Sequence, residues 1–520
     1  MTKGKLALVL HAHLPYVRSA NPGSLEEDWF FQALLECYLP LLEVIENSVN
    51  SNEQNPKITI SLSPTLLSLL SDQDLKNRFP DWVKLRLSLL EKSTKSQNEA
   101  GRFLKKNIIK QLKNWSSCDG EIIDRFSQLE KLKALDLMTC AATHGYLPLL
   151  RETPEAVKGQ LKTAIREHQR FFGKKPKGIW LPECAYYEGL DHLMRECDLR
   201  YSVLDGHGIL HGKPRPKYGI YAPVCTKNGI AFFARDSEST LPVWSAREGY
   251  PGNPEYREFH KDLGWDIPFE ELAKLGLEGN RPLGLKLHKV TSKQSIREKD
   301  LYDPTSASKQ VKEDAKDYLI GRKKQLIKLI DQTGINPLLI APFDAELFGH
   351  WWFEGPMFLA EIFKQAKNHK VQFTTLKDYL SSKKELQLCE PCPSSWGQGG
   401  FHNYWLNETN AWVVNEWSKA GKAMVECCSN GVSNQLNLRI LQQAGRELLL
   451  AQSSDWSFIL KAGTTTELAK ERIHRHLNRF WNLMQAIESK NGMSESELKE
   501  LELEDSIFPL IHANDWYQIY

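Results

Sequence analysis

The chain has 520 residues, more than one hydrophobic core usually supports, so we expect one large domain with one or two smaller ones. Its 67 basic and 65 acidic residues give a formal charge of +2, which argues against a nucleic-acid partner. The first apolar run is too short for a signal peptide, and no apolar stretch is long enough to span a membrane. We therefore expect a soluble, cytoplasmic protein.

Short apolar runs recur along the chain, and most of them end in polar or charged residues. They are residues 5–10, 57–62, 177–183, 201–205, 229–236, 283–288 and 338–344. Segments with helical periodicity separate several of these runs. This alternation predicts parallel strands with crossover helices, in an α/β barrel or a doubly wound sheet. In both folds the chemistry lies at the carboxyl ends of the strands.

Two further regions are predicted to be helical. Residues 72–140 have continuous helical periodicity and predict an inserted helical domain. Residues 391–520 predict a C-terminal helical domain, which follows a loop rich in Pro, Ser and Gly. Residues 1–71 and 141–390 remain for the large α/β domain.

Two carboxylates lie at predicted strand ends in aromatic surroundings. Glu183 follows an apolar run, and Pro182 stiffens the backbone that presents it. Asp344 ends another run and precedes Trp351 and Trp352, which could form the wall of a sugar site. Such a pair suits glycoside chemistry, in which one carboxylate is the nucleophile and the other protonates the leaving oxygen. Taken alone, either acid is more often a surface or salt-bridged residue, since the chain has 65 acids, but the pairing with strand ends and Trp residues lowers those odds.

The histidines of the sequence HAH favour a different class of enzyme. His11 and His13 end the first predicted strand and point to the same side, which is a pattern of metal ligands. A metal-dependent hydrolase or deacetylase is therefore the alternative. The other candidate ligands are scattered along the sequence: His144, Asp205, His207 and His288. We therefore expect no metal, and histidines that hydrogen-bond sugar hydroxyls or one another.

Cys389 and Cys392 form a C-x-x-C pair, the spacing of half a zinc site or of a redox pair. The sequence has no second such pair to complete a zinc site, and the surroundings are a Pro-rich loop. We expect reduced, structural thiols.

Several segments, in this order, resemble the signature regions of glycoside hydrolase family 57, in its 1,4-α-glucan branching enzyme group. They include HAHLPYV, AATHGYLPLL, GIWLPECAY, VLDGHGI, LHKVTS and APFDAELFGHWWFEGP, and then SSWGQGG and WLNETNAW. The resemblance implies a (β/α)7 barrel with an inserted helical domain and a C-terminal helical domain. It also implies a retaining mechanism and no metal or other cofactor.

The resemblance assigns roles residue by residue. Glu183 matches the family's nucleophile, and Asp344 matches its general acid/base. The positions that match the donor subsite are His11, His13, His144, Asp205 and His207. Aromatic positions along the glucan groove are matched by Trp265, Trp396 and Trp405, and Trp29 matches a position near the entrance. This sequence lacks an aromatic residue expected before Trp29 and a Tyr-Arg pair expected after Trp412. Both departures concern the binding of glucan and, with it, the balance between transfer and hydrolysis.

The function expected from the resemblance is α-1,6 branching of an α-1,4-glucan such as amylose or glycogen, by a monomer. An α-amylase or 4-α-glucanotransferase of the same family is the alternative within that chemistry, and a catalytically silent glucan-binding protein is a third. The outcome depends on keeping water from the intermediate. Residues 236–257 are long enough for a lid, and Tyr250 is the candidate shielding residue. The alternative for Tyr250 is a turn residue packed against its own loop.

Overall fold

The computed structural model describes residues 4–19, 22–51, 56–92, 98–277, 279–292, 298–432, 434–489 and 492–517. Its strands are β1 (Lys5–Ala12), β2 (Ile58–Leu62), β3 (Leu135–Cys140), β4 (Ile179–Trp180), β5 (Tyr201–Leu204), β6 (Val224–Cys225), β7 (Ala231–Ala234), β8 (Leu338–Asp344) and β9 (Gln387–Leu388). The longer strands are almost wholly buried, as expected of strands covered on both faces.

Seven parallel strands follow one another around a barrel. The first sheet has the order β4-β3-β2-β1-β8, and β5 pairs with β7. A parallel bridge between Gly178 and Tyr201 joins β4 to β5, and the Asp236 N–H donates to the Ile340 carbonyl of β8 at 2.9 Å. These contacts confirm the predicted (β/α)7 barrel. The short strands β6 and β9 extend the sheet from β7.

Helices follow the strands of the barrel. Between β1 and β4 they are α1 (Leu25–Ala33), α2 (Leu39–Asn50), α3 (Pro64–Ser71), α4 (Gln73–Lys92), α5 (Glu99–Ser116), α6 (Ile122–Lys131), α7 (Leu147–Leu150) and α8 (Pro154–Phe172). A π-helical turn, Leu34–Tyr38, joins α1 to α2. From β4 to β9 they are α9 (Leu190–Glu196), α10 (Gly206–Leu210), α11 (Ser237–Trp244), α12 (Phe269–Ala273), α13 (Pro304–Thr333), α14 (Gly355–His369) and α15 (Leu376–Ser381).

The C-terminal part is helical, as predicted. Its helices are α16 (Ala411–Asn430), α17 (Gln435–Ala451), α18 (Ser454–Ala462), α19 (Thr466–Glu488) and α20 (Glu495–Glu504). Apolar residues of these helices join the same buried core as the barrel, for example Leu448 and Ile473. In the described ranges, no helix is both long and apolar enough to cross a membrane.

The strand predictions were wrong at two places. Residues 283–288 form no strand, because the Leu283 and Gly284 N–H groups donate to the side chain of Asp262. The missing strand is β3, whose residues the sequence interpretation placed at the end of the helical insertion. Its Asp136 is buried and accepts hydrogen bonds from the Tyr201 hydroxyl, so a polar residue interrupts what would otherwise be an apolar run.

Candidate active site

A cleft of about 340 Å³ lies at the carboxyl ends of β1, β4 and β8. Both predicted carboxylates, Glu183 and Asp344, line it. Five other predicted site residues line it too: His11, His13, Trp29, His144 and Trp351. Strand register explains part of this convergence, since His11 on β1 pairs directly with Asp344 on β8.

Glu183 lies on a strained turn directly after β4. The segment Pro182–Cys184 forms one 3-10 turn, in which Glu183 has the left-handed backbone angles φ 63° and ψ 24°. A non-glycine residue in this region costs on the order of 1–3 kcal/mol, and such strain concentrates at functional sites. The backbone is held there because the Trp396 N–H donates to the Glu183 carbonyl at 2.9 Å.

The side chain of Glu183 is held as firmly as its backbone. The indole Nε1–H of Trp396 donates to its Oε2 at 2.5 Å, and the Nδ1 of His144 lies 4.0 Å from its Oε1. Burial raises the pKa of Glu183 to about 8, and the nearby charge of Asp344 raises it as well. The hydrogen bond from Trp396 acts in the opposite direction.

Asp344 stands at the end of β8 with fewer restraints. Burial raises the pKa of its carboxyl group to about 6, against the opposing effects of His13 and Arg235. Among the described residues, no side chain donates a hydrogen bond to this carboxyl group. Its oxygens are therefore available to a bound molecule.

Three stacked histidines form the floor beside these carboxylates. The ring centroids of His13 and His144 are 4.1 Å apart, and those of His11 and His144 are 5.1 Å apart. Burial lowers the pKa of His144 to about 3 and also lowers the pKa of His11. Both rings are therefore neutral at pH 7 and can donate or accept hydrogen bonds.

Comparison with known proteins gives the family to which this chain belongs. Residues 7–389 match the model of "Glycosyl hydrolase family 57", and residues 416–516 match "1,4-alpha-glucan branching enzyme, C-terminal". The chain belongs to glycoside hydrolase family 57.

Named relatives of this family 57 enzyme carry two activities. It is 32% identical to a 1,4-alpha-glucan branching enzyme of Thermococcus kodakarensis, over 96% of this chain and 76% of that one. The crystal structure of an alpha-amylase of Thermotoga maritima is 35% identical, with a TM-score of 0.91 over 99% of both chains. A branching enzyme of Pyrococcus horikoshii is 32% identical, with a TM-score of 0.90 over 100% of this chain and 97% of that one.

Some residues of the family 57 cleft were missed by the sequence interpretation. They are Glu346, His350, Asp455 and Phe458. Asp455 begins α18, and its Oδ2 lies 3.1 Å from the Nε2 of His13. Burial opposes its ionisation, but His13 holds the pKa of Asp455 well below its ordinary value. Asp455 lies 111 residues beyond Asp344 in the sequence, so only its place beside Trp456 could have drawn notice.

Glu346 is a third carboxyl group in the cleft. It accepts hydrogen bonds from the Tyr38 hydroxyl at 2.6 Å and from the His13 N–H at 3.1 Å. Burial raises the pKa of Glu346 to about 8, so this group is mostly protonated at pH 7. Its position two residues after Asp344 is a signal in the sequence that could have identified it as a site residue.

A metal could be held by residues of this cleft. Ligand atoms of His13, His144 and Asp455 all lie within 4.8 Å of one another, and so do those of His11, Cys140 and His144. The first set includes Asp455, which is not among the candidate metal ligands identified from the sequence. The expected absence of a metal therefore stays a prediction.

Asp205 and His207 lie beside the loop that carries Trp396. The Nδ1 of His207 is 2.9 Å from Asp205, and its Nε2 is 3.0 Å from the carbonyl oxygen of Gly400. Arg235 connects this group to the cleft, with its guanidinium 5.6 Å from the Trp396 ring centroid and its Nη1 3.4 Å from Asp205. Their predicted place in the donor subsite stays a prediction.

Other predicted aromatic residues lie away from the cleft. Trp405 is only 2% exposed because its ring stacks on Tyr146, so it offers no open face to a glucan chain. Trp352 is buried in the core, while Trp265 is half-exposed in a turn outside the cleft wall. The hydroxyl of Tyr250 donates to Asp317 of α13 at 2.8 Å and its ring packs on Phe358 of α14, so its contacts are not confined to its own loop, and its role in a lid stays a prediction.

The C-x-x-C pair packs under the loop of Trp396. Both thiols are free, and burial raises the pKa of Cys389 and of Cys392. The Cys392 N–H donates to the Gly208 carbonyl at 2.9 Å, so the pair helps to fix this loop on α10. Neither residue lines the cleft.

Proposed function

We propose that this family 57 enzyme is a retaining 1,4-α-glucan branching enzyme, which cleaves α-1,4 bonds and forms α-1,6 branches in a glycogen-like glucan. One observation carries the proposal: Glu183 and Asp344 meet in an aromatic-lined cleft of a chain that also matches the branching-enzyme C-terminal model. We further propose α-1,4-glucan as the partner and a monomer as the working form.

In the proposed reaction Glu183 attacks the anomeric carbon while Asp344 gives its proton to the departing glucosidic oxygen. The result is a glycosyl ester on Glu183 and a released chain end. Asp344, now a carboxylate, takes the proton of a 6-hydroxyl on another glucan chain. That oxygen displaces Glu183, and an α-1,6 bond forms.

One hydrogen bond supports the roles that we propose within the pair. Two partly buried carboxyl groups that lie in one cleft hold about one proton between them near neutral pH. The raised pKa of Glu183 favours the proton on Glu183, whereas the mechanism needs it on Asp344. The N–H of Trp396 favours the charged form of Glu183 and has no counterpart on Asp344. The pKa of Glu183 stays raised even with this bond in place, so the proposed assignment of Glu183 as the nucleophile rests on its position in the segment that matches family 57.

The other cleft residues would bind the sugar. We propose that the neutral His11 and His144 hydrogen-bond its hydroxyl groups, and that Trp29, Trp351 and Phe458 stack on its apolar faces. We also propose the domain limits 1–71 with 135–390 for the barrel, 72–134 for the insertion and 391–520 for the C-terminal domain, because β3 moves from the end of the predicted insertion 72–140 into the barrel.

An α-amylase is the second candidate, because a Thermotoga maritima structure of that name is 35% identical over 99% of this chain. The two activities differ only in the acceptor, a sugar hydroxyl or water. The test is to incubate the enzyme with amylose and count reducing ends before and after treatment with a debranching enzyme. A branching enzyme gives many new ends only after debranching. An amylase gives new reducing ends before debranching. A 4-α-glucanotransferase changes the chain lengths but forms no bonds that the debranching enzyme cleaves.

The metal-hydrolase alternative has its own test. Dialysis against a strong chelator should leave amylose branching unchanged, because the proposed mechanism uses only carboxyl groups. Loss of activity that returns on adding zinc, together with one zinc bound per chain, would favour the set His13, His144 and Asp455 as a metal site.

A further inference from the structure

A second cleft, of about 440 Å³, lies between α7 and α16. One wall carries Arg151 and Glu152, from the turn after α7, and the other carries Asn415 and Lys419, from α16. His402 and Leu406 close one side. None of its lining residues lines the active-site cleft.

The second cleft offers hydrogen-bonding groups that the protein leaves unused. Among the described residues, the side chains of Arg151 and Asn415 have no hydrogen-bond or ion-pair partner. The ring of His402 uses Nδ1, 2.9 Å from the Tyr146 hydroxyl, and its Nε2 has no partner in the described part of the chain. These groups can bind hydroxyls without first breaking a bond within the protein.

Apolar and oppositely charged side chains complete the second cleft. Leu406 is 41% exposed and lies with Pro148 and Leu149 on its lining. The positive charge of Arg151 is opposed by the negative charge of Glu152, and Lys419 pairs with Glu416 at 2.7 Å, so no single sign of charge dominates. Such a surface suits a neutral sugar chain, which presents apolar ring faces and a rim of hydroxyls, better than an anion.

One strip of chain separates the two clefts. His402 and Leu406 line the second cleft, while Tyr404, between them, stacks on Phe458 with ring centroids 5.0 Å apart. Phe458 in turn lines the active-site cleft. A polysaccharide that occupies the active-site cleft can therefore reach the second cleft by crossing this strip.

We propose that the second cleft binds a distant stretch of the same α-1,4-glucan whose reacting part occupies the active-site cleft. The inference rests on the proposed function and adds a site to it. Two linked sites raise the affinity for long chains that span both and leave the affinity for short chains unchanged.

The test removes a hydrogen-bonding group from the second cleft and narrows it with an aliphatic side chain that cannot stack on a sugar ring. Asn415→Leu should weaken binding to amylopectin, measured by retardation in native gels, by about five-fold or more, because long chains lose one of two linked sites. Its kcat/KM on maltoheptaose should stay within about two-fold of the wild-type value, since short chains use the active-site cleft alone. Glu426→Leu is the matched control, because Glu426 is an exposed residue of the same helix outside the second cleft.

A second pair of variants guards against a folding defect. If the melting temperature of Asn415→Leu falls, Arg151→Ala replaces it, with Lys422→Ala as its control on the exposed face of α16. If amylopectin retards the folded cleft variant as strongly as the wild-type protein, the inference is overturned. Wild-type protein that cleaves no glucan at all contradicts the proposed function itself, and the inference falls with it.

Discussion

Trp396 connects the strained turn of Glu183 to the chemistry of its side chain. Its backbone N–H holds the Glu183 carbonyl and its indole N–H holds the carboxylate, so one residue fixes both ends of the proposed nucleophile. Hydrogen bonds to charged groups contribute about 1.5–3 kcal/mol. The effect of losing this bond can be measured without touching either carboxylate.

Trp396→Phe keeps a ring and removes the donor. We expect kcat/KM on amylose to fall by about ten- to a hundred-fold, the size of one such hydrogen bond. The bond lowers the pKa of Glu183, so its loss raises that pKa, and the acid limb of the pH profile moves to higher pH. Trp351→Phe is the control, since Trp351 lines the cleft without bonding Glu183. An unchanged acid limb in Trp396→Phe would contradict the assignment.

The second prediction at this scale concerns the distance between the two carboxyl groups. A retaining pair should be roughly 5–5.5 Å apart, and an inverting pair roughly 6.5–9.5 Å. We expect a crystal structure with a bound oligosaccharide to give the shorter distance, and proton NMR to detect the α-anomer as the first product. A first product of β configuration would exclude the retaining mechanism.

How far the site could be predicted varies from residue to residue. Glu183, Asp344 and the histidines stood at strand ends within matched segments, so they could be found. Asp455 could not, because a contact between α18 and the end of β1 depends on tertiary packing that spacing does not encode. The resemblance assigns Trp405 to the glucan groove, but its burial against Tyr146 depends on packing that the sequence alone does not show.

At the scale of elements, the barrel was predicted better than its individual strands. Alternating apolar runs and helical segments indicated parallel strands, but β3 was hidden by Asp136 and residues 283–288 imitated a strand. The two errors differ in cause, since a buried polar residue interrupts the apolar run of β3, whereas hydrogen bonds to the side chain of Asp262 hold Leu283 and Gly284. The segment proposed as a lid depends on such contacts as well.

Tyr250→Ala tests the lid segment. Because Tyr250 bonds Asp317 and packs on Phe358, we now expect the substitution to lower the melting temperature and to reduce branching and hydrolysis in the same proportion. Branching and reducing ends are counted on amylose. A rise in reducing ends together with a fall in branching would instead support Tyr250 as the residue that keeps water from the intermediate.

At the scale of the whole molecule, the C-terminal helices complete the cleft that the barrel begins. Asp455 of α18 binds His13 of the barrel, and Phe458 of the same helix lines the cleft. The cleft therefore depends on the packing of two parts that the sequence interpretation treated as separate domains.

Asp455→Asn should lower kcat/KM on amylose by about ten-fold, because a partly buried, charge-assisted bond to His13 is lost. Asp378→Asn is the matched control, since it weakens the exposed pair with Lys57, and such pairs contribute about 0–1 kcal/mol. Equal activity of the two variants would show that α18 does not position His13.

The left-handed turn at Glu183 has a consequence for laboratory evolution. Glycine adopts such angles without steric cost, and a buried carboxyl group opposes folding when it ionises. A library selected only for resistance to heat would therefore tend to replace the proposed nucleophile, and its most durable members would be inert. A selection for more heat-stable variants of this enzyme must therefore measure catalytic activity together with heat resistance.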